Sequence, residues 1–483
     1  MILAIGSRVS RRALPPARPR YRPQSQGVHA ISMIPIVFGV RGTTVMIINH
    51  PIVTRIRQGC DPFVIQTALL IGMRIMGTGF GFFFWMMAAH MAIPDDVGRS
   101  SALISAASLI ASLAQMGLGY VILRYLRQHP NPSSFIHASM VISGFLAVVL
   151  AGGAFMTMDQ WFPHLNNDSD RWLIGSIVVI LPTSLALSQL VHWVFLAQQR
   201  LTFSLLKQGG QAGLALILIL CFQPMGGFWA IMLAYTTAVV IVTAVSIGLG
   251  LPKVIPQYQR TLSWKHWPQH ALVNDAFPNY LADQLQRLPD MLLPLVVVHQ
   301  AGAQRGAIFF IMWSLGSSIS AWASSTADSF LREGMYHPDH LTNLVPRVLM
   351  TGFGLTLGLG SILALISPIL LPWYGPTYTT NGYPFLLVLL LSNIPWVGTT
   401  LLITLLRIQE RRVAVLVSLV MSNGFGSIVI MLLLPYGLLA AGWGWFGVQV
   451  AVVLGIGSYS YQTRHMHNKR SRSDKALVAE IER

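Results

Sequence analysis

From residue 61 onward the chain alternates long apolar runs with short polar or basic connections. The apolar segments lie near 66–92, 100–123, 135–157, 172–196, 204–222, 228–250, 276–299, 307–330, 346–371, 384–406, 413–434 and 439–461. Each approaches the roughly 20 residues that a helix needs to cross the hydrocarbon core. The pattern predicts an all-α, polytopic membrane protein of about twelve transmembrane helices. Residues 1–60 differ: SRRALPPARPRYRP precedes short apolar pieces around Ile34 and Val45, which Pro35 and Arg41 interrupt before either is long enough to span. They read as a basic, disordered extension, and no apolar run of suitable length precedes a small-residue cleavage site.

The connections carry a second pattern. Arg124, Arg127, Arg200, Lys207, Lys253, Arg260, Lys265, Arg332, Arg347, Arg407, Arg411 and Arg412 fall on one side of the predicted spans. The other side has Arg99, Arg171 and Arg305 together with Asp95, Asp96 and the loop DQWFPHLNNDSDR. The positive-inside rule makes the first side cytoplasmic and brings both termini there, as an even helix count requires. The expected location is the cell membrane. Composition agrees: 53% of the 483 residues are apolar and only 10% charged, against about 25% in soluble domains. The net charge of +16 is spread through these connections, so nucleic acid is not an expected partner.

The two halves echo each other. Gly98 to Arg124 and Gly306 to Arg332 each cover a span ending in Leu-Arg, 208 residues apart, and QQR at Arg200 is matched by QER near Arg411 at a similar offset. The predicted organisation is a first six-helix half at 61–252, a cytoplasmic linker at 253–275, a second half at 276–462 and a basic tail at 463–483. Such repeats share one orientation and place a substrate site between the halves, around a central cavity.

The most informative chemistry lies in the seventh span, AFPNYLADQLQRLPDMLLPLVVVHQ, which holds Asp283, Arg287 and Asp290 with Pro289 and Pro294. An ionisable side chain at the bilayer centre costs about 2.5–3.5 kcal/mol on insertion scales, so such groups face protein or water. At 100° per residue the three charges fall within about 60° of one another, forming one polar stripe. Asp283 and Arg287 have the i, i+4 spacing of an ion pair. One arginine leaves a carboxylate over, so Asp290 or Asp283 is a candidate for proton or cation coupling. Arg74, in the first span, either snorkels to the interface or faces the cavity opposite Arg287, where two guanidiniums would hold phosphate oxygens.

Other residues suggest less. Cys60 and Cys221 give no disulfide framework, and His90, His192 and His299 sit on separate spans without metal-ligand spacing. Gly77, Gly79 and Gly81 lack a preceding strand and read as a close-packing stretch. Asp159, Asp168 and Asp170 in an outward loop have no second cluster to work with, so neither catalysis nor a cofactor is expected.

Four stretches, PDDVGRSSALISAASLIASLAQMGLGYVILRYL, FPNYLADQLQRLPDMLLPLVVVHQAGAQRGAIFFIMWSLGSSISA, LLPWYGPTYTTNGYPFLLVLLLSNIP and LPYGLLAAGWGWFGVQVAVVLG, resemble the polysaccharide-biosynthesis exporters of the multidrug/oligosaccharidyl-lipid/polysaccharide superfamily, which include O-antigen flippases. The resemblance implies two six-helix halves that open alternately and move a lipid-linked sugar from the inner to the outer leaflet. It further implies cationic cavity residues that hold phosphate: Arg74, Arg287 and, near the cytoplasmic mouth, Lys207. Two alternatives stand beside it. An exporter of drug-like cations of the same superfamily would use Asp283 and Asp290, and a membrane glycan polymerase or ligase would need its outward loops.

Overall fold

The computed structural model describes residues 77, 79–157, 168–255, 258–259, 276–336, 341–409 and 411–481, and residues 1–60 and Arg74 lie outside that set. Among the described residues there is no strand. Ten helices among these residues are long and apolar enough to cross a membrane. The shorter apolar helix α1 (Gly79–Met91) and the charged helix α7 (Phe277–Ala301) bring the number to twelve. The others are α2 (Pro94–Ala114), α3 (Pro132–Met156), α4 (Asp168–Ala197), α5 (Leu201–Phe222) and α6 (Gly227–Val254) in the first half. The second half continues with α8 (Ala303–Tyr336), α9 (Leu341–Leu370), α10 (Pro376–Ile408), α11 (Arg412–Tyr436) and α12 (Leu438–Ile481). The chain is a multi-pass membrane protein with two six-helix halves around a central cavity. The basic tail expected after the last span continues α12 as helix to Ile481.

Local chemistry sets these boundaries. Pro94, Pro132 and Pro376 start α2, α3 and α10, where a missing amide proton costs nothing. Asn131 caps α3, its Oδ1 accepting the Ser134 amide at 3.1 Å. Before α6 the turn Gln223–Met225 leads into Gly226 at φ +93°, and before α12 the turn Leu434–Tyr436 leads into Gly437 at φ +106°. Both are proline-containing 3-10 turns closed by a left-handed glycine, and they stand 211 residues apart. The two turns thus share a backbone conformation at an offset close to that of the echo in the sequence.

The halves meet through α2, which packs on α7 and α8. Its buried face is made of small residues, among them Gly98, Ser101, Ala102, Ser105, Ala107 and Ala111. Small side chains let backbones approach where apolar lipid supplies no hydrophobic drive. At Gly98 the approach is closest, and a Cβ there would overlap the Ala303 carbonyl of α8. Among the described residues no such packing occurs at Gly77, Gly79 and Gly81, where a Cβ would meet nothing within 4 Å, so the expectation for that stretch is corrected. On the outside, Phe145, Leu365, Ile369 and Leu432 are exposed, as lipid-facing residues should be.

α2–α3, α4–α5, α6–α7, α8–α9 and α10–α11 connect at one end, called the basic end for its Arg127, Arg200 and Arg411. At the opposite end the halves are in contact: Trp85 packs edge-on against Phe310 with centroids 4.5 Å apart, and Phe82 against Tyr374 at 5.6 Å. Together with the Gly98–Ala303 approach these contacts close that end.

Candidate functional site

A cavity runs from Arg407, in the last turn of α10 at the basic end, to Asp290, Trp313 and Trp445 about halfway along the helices. It has two chambers. The one toward the second half measures about 680 Å³ and the one toward the first half about 340 Å³. Tyr120, Trp193, Asp283 and Arg287 line both, so the charged stripe of α7 forms the boundary between them.

The stripe separates into two kinds of contact. Arg287 Nε meets Asp283 Oδ2 at 3.1 Å, the i, i+4 pair expected from the spacing. Only one of the guanidinium's three nitrogens is used there, and 51% of the Arg287 side chain remains exposed to the cavity. Asp290 instead accepts a hydrogen bond from Trp313 Nε1 at 2.7 Å. It lies deep in the protein yet is exposed, because it faces the chamber rather than packing. Pro289 and Pro294 remove the amides that would bond the carbonyls of Leu285 and Asp290, opening the α7 backbone beside these side chains.

α2 supplies the facing wall through a break that the apolar pattern does not reveal. Met116 at φ +44° and Gly117 at φ +84° interrupt the helix before it resumes at Leu118–Tyr125. The carbonyls of Ser112 and Leu113 keep only long 3-10 bonds of 3.3 Å at the break. Tyr280 of α7 donates its hydroxyl to both, at 3.2 Å each, while Ser112 Oγ donates to Gln284 Oε1 at 2.8 Å. The break turns Tyr120 toward the cavity, where it packs on Trp193 with centroids 5.1 Å apart. Gly119 lies under that indole, which leaves no room for a side chain.

Lys207 lies six residues into α5, roughly 9 Å along its axis. Its side chain is only 7% exposed, and it lines the first-half chamber. Among the described residues no hydrogen bond or ion pair meets its ammonium. Nearby, Gln115 donates to Gln189, and Ser204 is hydrogen-bonded to His192 Nδ1, so the surrounding polar groups are already engaged with each other. A buried cation without a counter-charge is costly, and that cost falls when an anion enters the chamber.

The structure thus brings Arg287, Lys207, Asp283 and Asp290 to one cavity. Sequence reasoning missed Arg407, which it grouped with the basic loop residues Arg411 and Arg412. It also missed Ser317, Ser320 and Ser324 of α8, Asn393 and Trp396 of α10, and Gln286. Asn423 is aimed at the cavity by a π-helical turn, Val420–Phe425, in α11. The serine triplet was visible as a 3–4 spacing along α8, on one helix face. Among the described residues no group of three or more His, Cys, Asp or Glu is arranged to hold a metal.

No protein-family model matches the chain, and no curated protein sequence matches it. Solved structures do. The lipid II flippase MurJ in an inward closed conformation aligns with a TM-score of 0.65 at 11% identity, over 83% of this chain and 87% of that one. The inward-facing form of a multidrug resistance MATE family transporter of the MOP superfamily gives 0.63 at 14% identity, over 83% of this chain and 99% of that one. The chain has the fold these transporters share. Its likeness to an outward-facing MATE structure of the same description is lower, 0.55 at 14% identity over 84% of this chain and 96% of that one.

Proposed function

We propose that the protein is a flippase-type exporter that carries a lipid-linked sugar across the cell membrane, with the basic end and both termini in the cytoplasm. The observation that carries this reading is Lys207, a buried ammonium with no counter-charge among the described residues, in a chamber it shares with the partly engaged guanidinium of Arg287. Lys207, Arg287 and Arg407 line the joined chambers against Asp283 and Asp290, and Asp283 is already spent on Arg287. The surplus charge suits a phosphate or diphosphate headgroup, which guanidinium and ammonium groups bind with charge-assisted hydrogen bonds. The headgroup enters from the basic end while its lipid tail stays in the bilayer. Rocking of the halves then separates the Gly98–Ala303 and Trp85–Phe310 contacts and exposes it on the other side. Arg74, expected on the first span opposite Arg287, belongs to the same proposed site. No covalent chemistry is required of any residue.

In cells that depend on this exporter, Arg287→Ala, Lys207→Ala and Arg74→Ala should each abolish surface polysaccharide while the protein remains inserted. Normal surface glycan in all three would refute the site.

One observation favours a second reading, export of organic cations. Asp290 sits beside Trp313, whose ring packs edge-on against Trp445 at 5.2 Å, an arrangement suited to a desolvated cation. In that case Asp290→Asn, not Arg287→Ala, is the damaging change.

A further inference from the structure

We infer that the larger, second-half chamber is a glycan chamber, taking one or more uncharged pyranose rings while the phosphate stays at Arg287 and Lys207. The inference rests on the lipid-linked-sugar reading and adds where the sugar sits and what recognises it.

The argument starts from the direction of the hydrogen bonds. On α8, Ser317 Oγ donates to the Ser314 carbonyl at 3.2 Å and Ser324 Oγ to the Ser320 carbonyl at 3.0 Å. Ser320 Oγ donates to Asn393 Oδ1, and Asn393 Nδ2 in turn donates to the Gly316 carbonyl at 3.0 Å. Across the chamber on α10, Ser392 Oγ gives its proton to the Leu389 carbonyl at 2.7 Å. Every serine hydroxyl on these two walls has therefore used its one donor within the protein, and what remains toward the chamber is oxygen lone pairs. Such a surface is mismatched to phosphate oxygens, which are ionised at neutral pH and accept but do not donate. It matches a ligand rich in O–H donors.

Three further groups complete the chemistry. Asp290 at the floor has Oδ1 engaged by Trp313, so its second oxygen adds another acceptor where the serine ladder ends. Gln286 lines the chamber, and its amide has no partner among the described residues, leaving a donor and an acceptor for a vicinal diol or an acetamido group. Trp396 is half-buried in the same wall and offers an aromatic surface to the C–H face of a sugar ring. Between Asp290 at the floor and Arg407 at the mouth, acceptors in a row, one amide and one indole make the recognition set of a neutral polyol. The chamber that holds them is twice the size of the one holding Lys207.

The test uses the full chain in nanodiscs and measures affinity for four probes. These are a bare polyprenyl diphosphate, the same lipid carrying one or two N-acetylglucosamine residues, and tetraphenylphosphonium. Wild type should bind the glycosylated lipids about tenfold or more tightly than the bare lipid, on the scale of two neutral hydrogen bonds. The double variant Ser317→Ala/Ser324→Ala, and separately Trp396→Leu, should lose most of that ratio and keep bare-lipid affinity within about twofold. Retained bare-lipid binding also reports that the variants are folded. Equal wild-type affinity for bare and glycosylated lipids overturns the glycan chamber and leaves the phosphate site standing. So does an equal loss for both lipids in the variants. If wild type binds neither lipid but binds tetraphenylphosphonium in an Asp290-dependent way, the lipid-linked-sugar reading and this inference both fall.

Discussion

Replacing Lys207 with methionine separates a ligand-binding lysine from a structural one by the sign of two effects. The side chain is 7% exposed and has no counter-charge among the described residues, so the empty protein bears its desolvation cost without compensation. Methionine has similar length and no charge, and replacing buried ionic groups by apolar ones of similar volume is often stabilising by about 1–4 kcal/mol. The lower half of that range applies here, because Lys207 reaches a polar chamber rather than dry core. The empty variant should therefore melt higher than wild type by a few degrees at most, since in a long chain ~1 kcal/mol moves Tm by only ~2 °C or less. Binding should move the opposite way. Removing one partner of a desolvated, charge-assisted contact costs about 2–5 kcal/mol, or roughly thirtyfold or more in Kd. Differential scanning fluorimetry of the nanodisc-embedded protein, with and without a polyprenyl diphosphate, reads both effects: a raised Tm without ligand and a diminished ligand-induced shift. A lowered Tm with an unchanged ligand shift would make Lys207 structural and refute the reasoning.

Four other outcomes follow from named contacts. Arg287→Gln should weaken binding of the bare diphosphate lipid by roughly thirtyfold or more. Asp283→Asn should strengthen it by up to about fivefold, because the pair is partly exposed and screened; titration at low and high salt checks both. Tyr280→Phe removes the hydroxyl that bonds the Ser112 and Leu113 carbonyls at the α2 break. It should lower stability by about 1–2 kcal/mol in a melting experiment without changing lipid affinity. Gly98→Val places atoms where the Ala303 carbonyl now lies, so the closed opposite end should be forced apart. Maleimide labelling of Ser324→Cys from the basic side should then fall, and unchanged labelling would show that this contact is no gate.

Much of the fold was legible because lipid enforces it. A spanning helix must be long and apolar, so the twelve segments could be read from hydropathy, and α7 was recognisable because its charges violate that rule in a periodic way. The Asp283–Arg287 pair was legible for the same reason: i, i+4 spacing on one helix needs no tertiary information. The α2 break was not. Gln115, Met116 and Gly117 look like any glycine-containing stretch of a membrane helix, and the left-handed turn depends on Tyr280, 163 residues after Gly117, supplying a donor to the loosened carbonyls. The standing of Lys207 was equally hidden. Whether a lysine six residues into a helix snorkels or is enclosed depends on what α2 and α7 place around it, which local sequence does not encode. The serines of α8 were overlooked because serine in a membrane helix ordinarily returns its proton to a carbonyl one turn back. Ser317 and Ser324 do that, and their significance comes only from facing a chamber while doing so.

The most direct test is translocation itself. Purified full chain is reconstituted into liposomes holding a fluorescent polyprenyl-diphosphate-linked N-acetylglucosamine, and movement between leaflets is followed by a membrane-impermeant quencher. The wild-type protein should accelerate translocation over protein-free liposomes, and Lys207→Met together with Arg287→Gln should return the rate to background. No acceleration by wild type, or an undiminished rate in the double variant, would contradict transport of an anionic lipid-linked sugar through this cavity.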